Sequence, residues 1–173
     1  MPASYERFAS VNHRLRSALI IVAVVALDWI SKLYIRAQIS LYDVVHVIRN
    51  VFNIVHAENP GAAFSMFADA PPQIRSILLI GVSLTVMVIL GVLLWRAPGA
   101  GENAFMRIGL AFVFGGALGN LLDRVFRGTV TDFIQVFIGS YEFPSFNIAD
   151  TAINIGAWLL VWELWQSRKT PSK

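Results

Sequence analysis

The 173-residue sequence contains no cysteine. That absence excludes disulfides, thiol nucleophiles and thiolate metal sites together, and leaves the redox compartment open. Charge is scarce as well: 14% of residues are charged, against 56% hydrophobic. A soluble domain carries about 25% charged residues, so this chain lacks the means to solvate its surface, and the mean hydropathy of +0.61 agrees. No HExxH string is present, which removes zincin chemistry. His46 and His56 have no metal-ligand spacing, and neither Ser65 nor Ser140 sits in a nucleophile elbow. GxGD strings and internal repeats are also missing. The formal charge of +3 does not mark nucleic-acid binding, because the basic residues gather at the ends of apolar runs and form no stripe.

What is present is four apolar runs, each near the roughly 20 residues that span a bilayer. They predict helices over about 17–38, 73–96, 104–123 and 146–166, in a single membrane domain covering 1–173. Arg7, Arg14 and Arg16 before the apolar Ser17–Leu27 resemble the start of a signal peptide. No small-x-small cleavage site follows, and the helical pattern continues through Asp28, Trp29, Lys32 and Tyr34, so an uncleaved first helix is expected. The second run has no charge after Arg75; Ser83 and Thr85 are expected to bond back to their own helix. The third contains Gly115-x-x-x-Gly119 and Gly116-x-x-x-Asn120, spacings that bring membrane helices close.

Two segments, 39–72 and 124–145, break this pattern. VVHVIRNVFNIVH and FIQVFIGSYEF are rich in β-branched and aromatic residues and predict short hairpins, the second turning at Gly139-Ser140. Asn59-Pro60-Gly61 predicts a turn, and Ala62 and Ala63 allow another backbone close. Lysine and arginine favour both termini and the 96–107 loop. Those parts are therefore expected in the cytoplasm, and the two irregular segments outside it.

Polar residues concentrate in 115–150. Ionisable groups at membrane depth cost roughly 2.5 to 3.5 kcal/mol each, so those retained usually face a protein interior and act there. Asp28 and Lys32 stand at i,i+4 in the favourable order for a helix ion pair; they either neutralise each other or brace a polar cavity. Asp123, beside Arg124, reads as a supporting acid paired with that arginine. Asn147, Asp150 and Asn154 share one helical face, expected to turn inward. With other chemistries excluded, a carboxylate pair remains: Asp132 follows the third helix and Asp150 opens the fourth, so a returning hairpin brings them together. Two adjacent carboxyls share a proton, one serving as base toward water and the other as acid toward a carbonyl oxygen. Flanked by Val130, Phe133 and Ile134, Asp132 is expected to hold the proton, while a helix start favours the Asp150 anion. The competing reading is a small proton-coupled membrane carrier, a class that tends to show internal repeats.

Asp28 with Lys32, ENPGAAFS, GGALGNLLDR, VTDF and FNIAD occur in that order. Together they resemble the lipoprotein signal peptidases, or signal peptidases II, aspartyl peptidases of bacterial membranes. The resemblance implies four membrane helices with a small extracytoplasmic β cradle and an interfacial helix. It implies removal of the signal peptide from prolipoproteins before a diacylglyceryl-modified cysteine, with Asp132 and Asp150 catalytic. Asn59, Gly61, Asn120, Asp123, Arg124 and Asn147 would line or brace the site, with Asp28 and Lys32 supporting it. No metal or cofactor is implied. Partners would be the lipidated substrates, membrane lipid and globomycin-type inhibitors; the enzyme would be a monomer in the cytoplasmic (inner) membrane, its termini cytoplasmic and its site extracytoplasmic.

Overall fold

The computed structural model describes residues 3–61, 71–97 and 104–169. Along the chain run α1 (Ala3–Gln38), β1 (Val44–Ile48), β2 (Phe52–Asn59), α2 (Pro72–Arg96), α3 (Ala104–Arg127), β3 (Val130–Ile138), β4 (Tyr141–Glu142) and α4 (Ile148–Lys169). Among the described residues three helical stretches are long and apolar enough to cross a membrane: His13–Gln38, Gln73–Arg96 and Ala104–Arg127. Their outward residues, such as Leu19, Val22, Ile30, Ile77 and Val88, are exposed in the isolated chain; lipid supplies the contact that water would not. No interfacial helix is seen among the described residues between β2 and α2. Ala62, Ala63, Phe64 and Ser65 of ENPGAAFS lie outside those residues, as do Pro98, Gly99 and Gly101.

Helix ends follow local chemistry. Pro72 opens α2 at its first position, where its missing N–H is no loss. The third helix continues past the expected end near 123 to Arg127, because Gly128 supplies the left-handed residue that stops it: its φ is 78° and its N–H bonds to the Arg124 carbonyl at 3.0 Å. That stop turns the chain directly into β3.

The four strands form one antiparallel sheet in the order β1-β2-β3-β4. Gly139 and Ser140 connect β3 to β4, with Gly139 at φ 61°, as a two-residue hairpin requires. In β2 the register shifts between Ile54 and Ala57, after which Ala57 faces Asp132, Glu58 faces Thr131 and Asn59 faces Val130. After β4 the chain returns to β3: the Phe146 carbonyl accepts from the Phe133 and Ile134 N–H groups at 3.0 and 2.8 Å. Phe146 is thereby pinned one residue before Asn147 and α4.

At the centre α3 packs against α1, α2 and α4. Its glycines allow this. A Cβ on Gly115 would come within 3.0 Å of the Val24 Cβ, and one on Gly119 within 2.7 Å of Asp28 Oδ2. On the α4 side a Cβ on Gly116 would overlap the Ala149 carbonyl oxygen. The small-residue spacing thus serves two interfaces, one toward α1 and one toward α4.

Buried charges join the same three helices. Lys32 Nζ lies 2.7 Å from Asp28 Oδ2 and 2.9 Å from Asp123 Oδ2, with Lys32 and Asp123 fully buried. Arg36, one turn further along α1, donates to the other Asp123 oxygen at 2.7 Å. The remaining Asp28 oxygen accepts from the Ala149 N–H at 2.9 Å, capping the first turn of α4. The expected pairing of Asp123 with Arg124 is therefore corrected: adjacent residues on a helix point about 100° apart, and Asp123 faces α1. Asn154 is likewise exposed, donating to the Asp150 carbonyl within its own helix. It does not turn inward.

Two substitutions test this packing. Gly116→Ala is expected to lower stability by about 1–3 kcal/mol through overpacking against backbone. Gly81→Ala in α2, where an added Cβ meets nothing within 4 Å, should raise it by up to about 1 kcal/mol. Thermal unfolding in detergent reads both. Lys32→Met leaves two buried carboxylates without their shared cation, so a loss of about 3–5 kcal/mol is expected; unfolding near the wild-type temperature would contradict the bridging role.

Candidate active site

Asn147 and Asp150 form a reciprocal cap at the start of α4. The Asn147 side-chain oxygen accepts from the Asp150 N–H at 2.9 Å, and Asp150 Oδ2 accepts from the Asn147 N–H at 3.2 Å. This is capping-box geometry with asparagine and aspartate in the two roles. It holds one oxygen of the Asp150 carboxylate from within the helix start.

Asp132 arrives from a strand. Successive strand residues point to opposite faces, so Thr131 and Asp132 part company, and Asp132 lies 3% exposed against α4. Its Oδ1 accepts from Asn147 Nδ2 at 2.7 Å and its Oδ2 from Asn59 Nδ2 at 3.0 Å. Asn59 is itself held by its turn: its Oδ1 accepts from the Gly61 N–H at 2.8 Å. Gly61 has φ 92°, and an added Cβ would run into Leu79 of α2. The left-handed backbone there favours glycine, and a larger residue would also have to displace the end of the Leu79 side chain.

Asn120 connects the two carboxylates to the buried charges. Its Nδ2 donates to Asp150 Oδ1 at 2.7 Å, while its Oδ1 accepts from Lys32 Nζ and from Asn147 Nδ2, both at 3.2 Å. An ammonium only donates, so the amide orientation is fixed by its partners. Asn147 thus touches both aspartates, and Asn120 touches one of them together with the lysine.

Arg124 completes the polar wall. Its Nη1 donates to the Asn120 carbonyl at 3.2 Å, and its Nε is buried with no hydrogen-bond partner among the described residues. Charges on Asp150, Asp132 and Asp123 all act on it. Burial pushes the Asp132 carboxyl up to about 6, and the neighbouring Asp150 charge adds to this, while the bonds from Asn59 and Asn147 and the Lys32 charge oppose it. The result is a carboxyl that changes charge near neutrality beside a second carboxylate, an arrangement suited to proton exchange with a bound water.

The ten residues singled out from sequence fall into two joined sets. Asn59, Gly61, Asn120, Arg124, Asp132, Asn147 and Asp150 surround the carboxylates; Asp28, Lys32 and Asp123 form the charge cluster behind Asn120. His46 instead engages Asn53 at 2.9 Å, and His56 engages the Ile39 carbonyl at 2.7 Å. Sequence reasoning missed Arg36, Glu58, Thr129 and Thr131. Arg36 Nε donates to Thr131 Oγ1 at 2.8 Å, and both threonine hydroxyls donate to Glu58, at 2.5 Å from Thr129 and 2.7 Å from Thr131. A signal existed: Asp28, Lys32 and Arg36 recur every four residues on one face of α1, and Glu58 begins the ENPGAAFS block.

A family model described as "Signal peptidase (SPase) II" matches residues 20–166. The lipoprotein signal peptidase of Syntrophus aciditrophicus (strain SB) is 40% identical over 149 residues, which cover 86% of this chain and 91% of that protein. That of Yersinia pseudotuberculosis serotype O:1b (strain IP 31758) is also 40% identical over 149 residues, covering 86% of each chain. Two solved structures described as bacterial membrane enzymes share the fold. One has a TM-score of 0.76 at 33% identity, covering 86% of this chain and 92% of the other. The second has a TM-score of 0.79 at 32% identity, covering 91% and 93%. The chain belongs to the lipoprotein signal peptidase family, the signal peptidases II, and is a membrane peptidase of bacterial type that acts on prolipoprotein signal peptides.

Proposed function

We propose that this peptidase cuts its prolipoprotein substrates before a diacylglyceryl-modified cysteine, using Asp132 and Asp150 as an aspartyl dyad that activates water. The observation that carries the reading is Asn147, whose side-chain amide bonds to Asp132 and whose backbone N–H bonds to Asp150. One residue holding both carboxyls keeps them in a common frame for a shared proton.

In this mechanism Asp150, in the first turn of α4, is the anion, favoured by the helix N-terminus. It takes a proton from water as the oxygen attacks the scissile carbonyl carbon. Asp132 gives its proton to the carbonyl oxygen, producing a tetrahedral diol. Collapse of the diol breaks the C–N bond, returns a hydroxyl proton to Asp132 and passes the proton on Asp150 to the leaving amine. Arg124 and Asn59 border the same space and would orient the peptide, with Asn120, Asp123, Lys32 and Asp28 bracing the frame.

The membrane arrangement belongs to the same proposal. All four helices cross, the sheet forms a cradle on the extracytoplasmic side of the cytoplasmic (inner) membrane, and both termini are cytoplasmic. Arg14, lying 4.2 Å over the Trp95 ring, and Arg107, donating to the Ala97 carbonyl at 2.7 Å, mark the opposite end of the bundle as the basic one. Trp158, Trp162 and Trp165 stack along α4 with their faces outward, which suits contact with lipid. The acyl chains and signal helix of the substrate then stay in lipid while only the scissile bond enters the polar site. The enzyme works as a monomer, and globomycin-type lipopeptides compete for the same cleft.

Cleavage of a diacylglyceryl-modified prolipoprotein by purified protein tests the reading, with an unlipidated substrate as control. Asp132→Asn and Asp150→Asn should each lower kcat by about 10³-fold or more, whereas Asp123→Asn should mainly lower stability. Normal turnover in either of the first two would end the dyad assignment.

The raised Asp132 carboxyl sets a pH dependence. Since Asp132 works protonated, kcat/KM should fall as pH rises through about 6. The same shift affects stability. Between the ordinary carboxylate value near 4 and about 6, the folded state holds a proton that the unfolded state has released, so stability declines over that interval and levels off above it. Relative to Asp132→Asn the decline should approach about 3 kcal/mol, read by thermal unfolding at pH 4 to 8. A flat difference across that range would contradict the shift.

A further inference from the structure

From the hydrogen bonds that surround Glu58 we infer that it is a positioning residue for Asp132: a strap across β2 and β3 that holds Asn59 at its bonding distance. This rests on the aspartyl-dyad reading above.

Glu58 and Asn59 are consecutive on β2, as Thr131 and Asp132 are on β3, and the register sets Glu58 opposite Thr131. Side chains alternate between faces. One face therefore carries Glu58 and Thr131, and the other carries Asn59 and Asp132, whose bond spans 3.0 Å. On the Glu58 face the carboxylate accepts from Thr129 Oγ1 at 2.5 Å and Thr131 Oγ1 at 2.7 Å, and lies 3.2 Å from His56 Nε2. Glu58 stands one residue past the register shift between Ile54 and Ala57 of β2, where ladder pairing alone is least able to fix the strands.

Behind Glu58 stands Arg36. Its guanidinium bonds to Thr131 and to Asp123, and its Nε lies 3.9 Å from Glu58 Oε1. The sheet is thus tied to α1 and, through Asp123, to α3. Among the described residues no hydrogen bond joins Glu58 to Asp132, so Glu58 acts on the position of Asp132 through the strands. Burial works against the Glu58 charge, but the threonine and histidine bonds and the Arg36 charge outweigh it and keep this carboxyl below its ordinary range. It therefore stays ionised while Asp132 titrates.

Asp132 itself is faced by Asn59 from β2, by Asn147 and Asp150 at the start of α4, by Arg124 from α3, and by Lys32 from α1. Two ways of acting give opposite signs. If Glu58 acts as a strap, its loss lets Asn59 drift, removes a bond that favours the Asp132 anion, and moves the alkaline limb of kcat/KM to higher pH. If only its negative charge mattered, removing it would favour the Asp132 anion and move the limb lower.

The experiment is the pH profile of lipidated-prolipoprotein cleavage by wild type, Glu58→Ala and Glu58→Gln, with KM and kcat separated. Glu58→Ala is expected to lose at least about tenfold in kcat, since small misplacements of reacting groups carry losses up to about 10²-fold. Its KM should stay within about twofold, and its alkaline limb should move up. Glu58→Gln keeps one acceptor oxygen for a threonine, so it should fold where alanine does not and show a smaller loss with the same direction of shift. Unchanged kcat, a limb that moves down, or a loss expressed in KM would each overturn the strap. An inactive wild type on competent substrate would instead refute the peptidase mechanism on which it rests.

Discussion

A buried ammonium organises this molecule. Lys32 lies fully buried among Asp28, Asp123 and the side-chain oxygen of Asn120. In so apolar a chain a lone cation could not stay charged, and two lone carboxylates could not either. Together with Arg36 the cluster contains two acids and two bases. Each charge is tolerated because the others are present, and the set draws on α1 and α3 while Asp28 also caps α4. Three helices are thereby held in one azimuthal arrangement, which apolar packing in lipid specifies only weakly.

The Asp132 and Asp150 carboxyls inherit that arrangement through Asn120 and Asn147. Both are primary amides, able to donate and accept at once without adding charge. Asn120 accepts from the lysine and donates to Asp150, while Asn147 caps α4 and donates to Asp132. Uncharged relays separate the structural ion cluster from Asp132 and Asp150. With Lys32 in direct contact, Asp132 would be held as an anion; at one remove, burial prevails and its carboxyl rises toward neutrality.

Family membership settles the general activity, and the geometry explains why such an enzyme places its polar groups where it does. Water and a peptide bond must meet at the edge of a lipid phase, and the carboxyls sit where α3 ends and α4 begins, beside a sheet whose backbone groups are paired. Spanning helices alone would leave no room there for irregular backbone. The sheet supplies Asp132 and Asn59 on one face and the Glu58 network on the other, so it belongs to the site as much as the helices do.

Much of this was legible in the chain itself. Long apolar runs announce spans because hydrocarbon leaves the backbone few alternatives; β-branched stretches with Gly139-Ser140 announce a hairpin because only some residues make that turn; and Asp132 and Asp150 stand out because charge in lipid needs a reason. What the sequence could not determine was which groups meet. Asp123 reads naturally with its neighbour Arg124, yet helix geometry turns it to Lys32 and Arg36 across an interface. Asn154 shares a helical repeat with Asp150 and nevertheless faces outward, since only packing decides how far an inward face extends. Arg36, Glu58 and Thr131 were passed over because their partners are as many as 95 residues away. Local periodicity encodes what each element is; the rotation and register of elements against one another arise only when all of them are packed, and it is that register which decides what touches Asp132.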